Sequence, residues 1–418
     1  MFALVDAVSF YASAEKVFDP SVRNKPLVVL TNNDGCICAV CPIARKLGVP
    51  KFSPYFKVQA LLAKDNVVVR SSNYELYADL SEKMMNIIQR FGDNQYIYSI
   101  DESFLHFHRY QRMISSWHEY GHTIRKAIWK ETRLPVGVGF GLTPTLAKAA
   151  NHAAKKLSGY DGVAVIDDNA SRKEVLSRMA LTDVWGIGSR LGKKLSILGV
   201  CNAWELANQS PKAMKAQFGV TVERTINELN GMPCLTWDDE KAPQHQVFST
   251  RSFGQRVTQY HALKAALVSH GCIVARKVRK QRALIKRLYI FVASSPHDES
   301  YYKKAQTYEF TIATDNTLHV ASAISAVFDA LFLAGVRFYR CGVGAVKLES
   351  RKFQQQDMFN LNLDNPELMK CYDDINQRYG NGTVEVASAG LVEQWGMRRN
   401  FLSPRYTSKW QDIPKISC

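Results

Sequence analysis

Three carboxylates stand in apolar surroundings. Asp6 closes the short run Phe2-Ala3-Leu4-Val5, and the adjacent pair Asp101-Glu102 interrupts the alternating segment from Tyr96 to Leu105. An acid embedded in an apolar strand is costly unless it is paired or holds a cation. Oxygen-only ligands suit a hard ion such as Mg²⁺, and two such ions about 3.5–4 Å apart support phosphoryl-transfer chemistry. Neighbouring strand residues point to opposite faces, so Asp101 and Glu102 reach one cation only with help from the local backbone. On spacing alone the plainer alternative, turn or salt-bridge acids, is the stronger one.

The elements that must position these acids follow from periodicity. Residues 1–6 and Pro26–Leu30 have strand length, the second run ending in the turn-forming Asn32-Asn33-Asp34-Gly35. From Tyr74 to Arg90 the apolar spacing is helical, through Leu76, Leu80, Met84, Ile87 and Ile88. Tyr96–Leu105 alternates like a strand hairpin with the two acids near its middle. A helix from about Met113 to Thr132, a strand over Leu134–Phe140 and a basic helix over 144–156 follow. Strands alternating with helices predict a mixed α/β unit ending near residue 165. Residues 166–237 are helical and punctuated by glycine turns, Gly186-Ile187-Gly188 and Gly199 being the clearest. The polar stretch Trp237–Gln244 reads as an interdomain linker. Residues 245–350 return to strands and helices, and seven of the twelve residues from Arg276 to Arg287 are Lys or Arg. A Gln-rich turn and a less regular basic tail end the chain. No internal repeat is present.

The 418 residues carry 54 Lys and Arg against 38 Asp and Glu, a formal charge of +16. A surplus of that size points to a polyanionic partner, with nucleic acid ahead of a membrane surface. An apolar content of 46% excludes a disordered chain. The longest apolar run, Ala321–Val336, is broken by Asp329 and reads as an amphipathic core helix rather than a bilayer span. Nine scattered cysteines and a start without a basic leader predict a reduced, cytoplasmic protein with no membrane partner.

Around the acids the sequence becomes familiar. Asp6–Glu15 (DAVSFYASAE), Asn33–Cys36 (NDGC), Ser71–Ser81 (SSNYELYADLS), Tyr98–Ser103 (YSIDES) and Leu146–Lys156 (LAKAANHAAKK) resemble the Y-family of DNA polymerases. Within it the chain is most similar to the UmuC-type catalytic subunits, in order from Met1 to about Tyr406. That resemblance implies template-directed, low-fidelity translesion synthesis without proofreading, in SOS-type damage tolerance. It implies that Asp6, Asp101 and Glu102, with the Ala7 carbonyl, hold two Mg²⁺ ions. Phe10 and Tyr11 match the aromatic pair under the incoming sugar, Tyr11 as the steric gate against a 2′-hydroxyl. Arg45 and Lys155 match residues that grip the triphosphate of the dNTP.

The chain departs from the family's pattern at Val40, where a UmuC-type arginine is expected, at Pro42-Ile43, and at Pro144 in place of a lysine. These changes touch nucleotide handling and leave the acids alone. Gly186 and Gly188, with Arg190, Lys193 and Lys194, resemble a helix-hairpin-helix whose backbone amides and cations meet a DNA phosphate. Arg276, Lys277, Arg279 and Lys280 fall in the region matching the family's extra DNA-gripping domain. A solvated helix face is the plainer reading of that run. Gln355-Gln356-Asp357-Met358-Phe359 resembles a sliding-clamp peptide, with Met358 and Phe359 filling an apolar pocket and Gln355 fixing orientation. Cys36, Cys38 and Cys41 have zinc-like spacing but no obvious fourth ligand, and buried thiols are expected instead.

The expected fold is a multidomain α/β (α+β) right hand. It comprises a ferredoxin-like palm (1–14 and 78–165), small fingers (15–77), a helical helix-hairpin-helix thumb (166–237), a linker (238–244), an α+β little finger (245–350) and a clamp-binding segment with tail (351–418). Primer–template DNA, a sliding clamp, a UmuD-type dimer and a RecA filament are the implied partners. The competing reading is a non-catalytic DNA-binding subunit on the same fold.

Overall fold

The computed structural model describes residues 1–235, 244–353, 364–380, 382–390 and 395–414. The chain divides into two compact units, Met1–Asp239 with Arg399–Cys418, and Glu240–Arg398.

The first unit is built on a five-stranded sheet. Its strands are β1 (Phe2–Ala7), β5 (Asn94–Ile97), β6 (Glu102–His106), β7 (Val136–Gly141) and β8 (Val163–Ile166), in the order β5-β6-β1-β7-β8. β1 runs antiparallel to both neighbours, and β7 pairs parallel with β8. Alternation along β7 decides what covers each face. A Cβ at Gly139 would collide with the Asn151 backbone amide, so the α6 helix (Pro144–Lys156) lies directly on that face. Phe140 points the other way, against the α5 helix (Trp117–Thr132), where a Cβ on Gly121 would strike its ring. The α4 helix (Tyr74–Ile88) packs beside α5 with Leu76, Leu80, Met84, Ile87 and Ile88 buried. This is the mixed α/β unit the periodicity predicts, arranged as a sandwich.

A second sheet, β3-β2-β4, joins β2 (Leu27–Leu30) antiparallel to β3 (Ile37–Val40) and parallel to β4 (Val68–Ser71). The short helices α1 (Phe10–Glu15) and α2 (Pro42–Lys46), and the longer α3 (Tyr55–Lys64), accompany it. The other side of α6 meets a helical cluster of α7 (Asn169–Ser177), α8 (Ser189–Ile197), α9 (Ala203–Ala207), α10 (Pro211–Phe218) and α11 (Val220–Leu229). Leu146, Ala149, Ala150 and Ala153 share a buried core with Leu195, Leu206 and Ile226. The alanine-rich face of α6 is what lets a helix be covered on both sides.

The second unit runs β9 (Val247–Val257), α12 (Tyr260–Lys280), β10 (Ala283–Ala293), β11 (Lys303–Thr314), α13 (Thr317–Phe328), β12 (Phe338–Ser350). Its sheet, β11-β10-β12-β9, is antiparallel throughout, with α12 and α13 packed together over it. α13 ends before Asp329, and among the described residues no helix is long and apolar enough to cross a membrane. The tail is more ordered than its composition predicts. An α14 helix spans Pro366–Tyr379, started by the Asn365 side chain accepting from the Leu368 amide and by Pro at its first position.

Candidate active site

The β1–β6 register sets Asp6 directly opposite Glu102. Asp101 lies in the turn before β6, so it escapes the alternation that would have turned it from Glu102. Its carbonyl accepts from the Ala7 amide at 3.0 Å, which ties the turn to the end of β1. Ser99 shapes that turn: its hydroxyl accepts from the Glu102 amide (3.1 Å) and donates to Asp101 Oδ1 (2.7 Å). All three acids therefore reach the end of one strand pair.

Two lysines of α6, seven residues and thus about two turns apart, face them. Lys155 Nζ lies 2.6 Å from Asp6 Oδ2 and 3.5 Å from the Ala7 carbonyl oxygen. Lys148 Nζ donates to both Glu102 oxygens, at 3.1 and 3.2 Å, and sits over the rings of Tyr98 and Trp185. Burial raises the Asp6 carboxyl to about 6, against the opposing pull of Lys155 and with further upward pushes from Glu102 and Asp101. A carboxylate held so reluctantly in its charged form gains from any added cation.

The donor set suits Mg²⁺. Asp6 and the Ala7 carbonyl already share one cation, the Lys155 ammonium, which stands where a metal ion would be welcome. Among the described residues no three His, Cys, Asp or Glu side chains group tightly enough to hold an ion by themselves. Mg²⁺ does not ask for that, since it is commonly held by one or two carboxylates together with substrate phosphates.

A cleft of about 410 Å³ opens above these acids, lined also by Phe10, Tyr11, Val40, Arg45, Lys51 and Lys156. Ser9 takes a left-handed conformation (φ 49°) as the chain turns from β1 into α1. Phe10 goes into the core. Tyr11 stacks on Tyr77 at 4.4 Å with 15° between planes and meets the edge of Tyr74. Arg45, on α2, approaches the Ser9 hydroxyl at 3.5 Å. Val40, in β3 opposite Val28, is buried and itself lines the cleft. Pro42 and Pro144 each occupy the first turn of a helix, where a missing N–H costs nothing. The departures from the family's pattern at those two sites are thus compatible with the local backbone. Cys41 is buried and accepts from the Leu27 and Ala44 amides, a structural thiol.

The remaining sequence-predicted residues lie elsewhere. Gly186 has φ +89° and Gly188 caps α8. Arg190, Lys193 and Lys194 project into solvent from the next turn, with the spacing of one helix face. In the second unit, Lys277 and Lys280 are exposed. Arg279 is instead committed to Asp373 of α14 through two 2.7 Å bonds, and to the Asp315 carbonyl, with 8% of its side chain exposed. Gln355, Met358 and Phe359 lie outside the described residues.

Spacing did not single out Lys148, Lys51 or Lys156. Lys148 and Lys155 stand seven residues apart on α6, and their carboxylate partners are distant in sequence. Nor did it reveal the face of the second sheet opposite α12. Gly342 and Gly344 admit the rings of Phe291 and Phe248 there, and Arg340 lies over Phe291 at 5.6 Å.

Residues 5–152 match the model of the impB/mucB/samB family, and residues 244–358 match that family's C-terminal domain. Residues 366–416 match a domain of unknown function. The chain is 37% identical to Protein UmuC of Salmonella typhimurium, with 100% of both chains covered. It is 35% identical to Protein SamB of the same organism over 99% of each. A solved Y-family DNA polymerase chimera built on Dbh shares the fold at a TM-score of 0.61, with 19% identity, 82% of this chain and 98% of that one being covered.

Proposed function

This chain belongs to the impB/mucB/samB family and is a Y-family translesion DNA polymerase, and we propose that it joins a deoxynucleotide to a primer 3′-hydroxyl over Asp6, Asp101 and Glu102. The observation that carries this reading is the facing of Asp6 and Glu102 across β1 and β6, with Asp101 tied to Ala7, at the floor of a cleft walled by Tyr11 and Arg45.

Asp6, Asp101, Glu102 and the Ala7 carbonyl would hold two Mg²⁺ ions. When bound, these ions acidify the primer hydroxyl and offset charge on the leaving pyrophosphate. Lys155 leaves Asp6 for the nucleotide's phosphates, where Arg45 joins it; cations placed there stabilise charge that grows as pyrophosphate departs. Tyr11, backed by Tyr77, fills the space a 2′-hydroxyl needs. Phe10 anchors the backbone beneath it. The sandwich, the β3-β2-β4 region, the helical cluster and the β9–β12 part of the second unit take the parts of palm, fingers, thumb and little finger, with the boundaries given above. DNA phosphates are met by the Gly186–Gly188 turn with Arg190, Lys193 and Lys194, and in the second unit by Arg276, Lys277 and Lys280. Such contacts give affinity without reading bases, which suits a damaged template. Residues 355–359 dock a sliding clamp, and a UmuD-type dimer and RecA filament complete the cytoplasmic assembly.

Primer extension with Mg²⁺, partner proteins supplied, tests the reading. Extension is lost in Asp101→Ala; extension that survives the substitution removes these acids from the chemistry and leaves a DNA-binding role.

A further inference from the structure

The segment matched only as a domain of unknown function returns at Arg399 to the first unit and ends there. Its contacts are those of a built-in part. The Asn400 amide donates to Asp34 Oδ2 at 2.8 Å. Phe401 and Ser71 exchange two bonds: Ser71 N–H to the Phe401 carbonyl (3.0 Å) and Phe401 N–H to Ser71 Oγ (2.9 Å). Asn73 Nδ2 reaches Ser403 Oγ at 2.9 Å and the Pro404 carbonyl at 3.2 Å. Asp34, Ser71, Asn73 and Ser403 are all buried, so these bonds are made away from water, where losing one leaves a desolvated group behind. Around them Arg399 pairs with Glu75, Thr407 bonds Asp79, Phe401 meets the edge of Tyr55, and Tyr406 stacks on Phe18 at 5.1 Å.

Three of these partners, Asn73, Glu75 and Asp79, belong to the start of α4, and that start leads to the cleft. Asn73 is the cap of α4: its Oδ1 accepts from the Leu76 amide while its Nδ2 is held by the returning segment. One turn on, Tyr77 is fully buried and donates to Glu15 Oε1 at 2.7 Å. The ring of Tyr77 is the platform on which Tyr11 stacks. The Ser403 hydroxyl and the Arg70 guanidinium face the same Glu15 carboxylate, whose Oε2 has no hydrogen-bond partner among the described residues. Burial pushes the Glu15 carboxyl up, and Tyr77 and Ser403 draw it back.

We propose that the C-terminal segment from Arg399 to Asp412 is a positioning strap for nucleotide selection: by holding the Asn73 cap and the Glu15–Tyr77 pair, it sets where the Tyr11 ring stands. None of residues 399–412 is among those lining the cleft. Asn73, Tyr77, Glu15 and Ser403 are positioning residues. The inference rests on Tyr11 being the sugar gate, so its test must separate the two ideas.

The test uses the full chain with its partners, and compares ribonucleotide with deoxynucleotide incorporation opposite one template base. Tyr11→Ala is the control for the gate. Phe401→Ala and Ser403→Ala loosen the strap, and each is also combined with Tyr11→Ala. The strap variants should raise the ribonucleotide share about 3–10-fold, the scale of one weakened buried bond, and add nothing once Tyr11 is gone. Amide hydrogen exchange over residues 73–80 should quicken in Ser403→Ala while the β1–β6 strands stay protected. If Tyr11→Ala leaves sugar selectivity unchanged, the gate reading falls and this inference with it. If Tyr11→Ala relaxes selectivity but the strap variants do not, or if their effect adds fully to that of Tyr11→Ala, the strap has no such role. Should Phe401→Ala fail to fold, Ser403→Ala with unaltered exchange over 73–80 overturns the proposal by itself.

Discussion

Replacing Asp6 by Asn should make the protein more stable and inactive at once. The Asp6 carboxyl titrates at about 6 against an ordinary 3.8, and a difference of that size corresponds to about 3 kcal/mol acting against the fold when the group is charged. Lys155, 2.6 Å away, already offsets part of that burden and would be left with a weaker acceptor. A net gain of roughly 1–2 kcal/mol at neutral pH follows, or about 2–8 °C in melting temperature. The pH dependence carries the sign. Because the folded-state value lies above the unfolded one, the wild-type protein gains stability as pH falls from about 6 towards 3.8, whereas the Asn variant has nothing to titrate there. The gap between the two should therefore close and then reverse across that window. Thermal melts of both proteins at several pH values, without divalent ions, measure it. A variant less stable than wild type at neutral pH, with a gap that does not move with pH, would refute the argument that Asp6 is held charged at a cost.

Arg279→Leu should destabilise the second unit by about 2–4 kcal/mol, because it leaves Asp373 and the Asp315 carbonyl without their donor; denaturant unfolding followed by that unit's tryptophan, Trp395, reads the loss. Lys277→Ala with Lys280→Ala should leave unfolding nearly unchanged and instead flatten the dependence of DNA affinity on salt by about one to two in log–log slope. The same flattening is expected for Lys193→Ala with Lys194→Ala. Alanine at both Met358 and Phe359 should reduce binding to a sliding clamp in surface-immobilised form and leave clamp-free extension alone.

The parts of the molecule governed by local chemistry were legible in its residues. The α6 helix begins and ends where Thr143-Pro144 and Lys156 say it should, and α4 follows its apolar stripe. The acids were legible as a group through their surrounding motifs, but not the device that unites them: the Asp6–Glu102 register and the Ser99 turn are long-range or conformational facts. The ammoniums facing the acids were half visible. Lys148 and Lys155 share a helix face by spacing alone, yet Lys148 meets Glu102 from 46 residues away. Composition misrepresented the tail. A basic, irregular-looking stretch hides α14, whose Asn365-Pro366 start was a readable signal, and a strap whose partners lie about 330 residues earlier. Arg279 belongs to the same class. In sequence it is one cation of a basic run, and in space it is half of an ion pair with a residue 94 positions on.

The facing carboxylates are the centre of the account, and their occupancy by divalent ions can be measured. Electron paramagnetic resonance with Mn²⁺ as the probe, on the full chain with primer–template DNA and a non-hydrolysable dNTP, counts the ions held. The account predicts two in the wild-type protein, and fewer in Glu102→Gln and Asp6→Asn. Equal Mn²⁺ binding by all three proteins would contradict it.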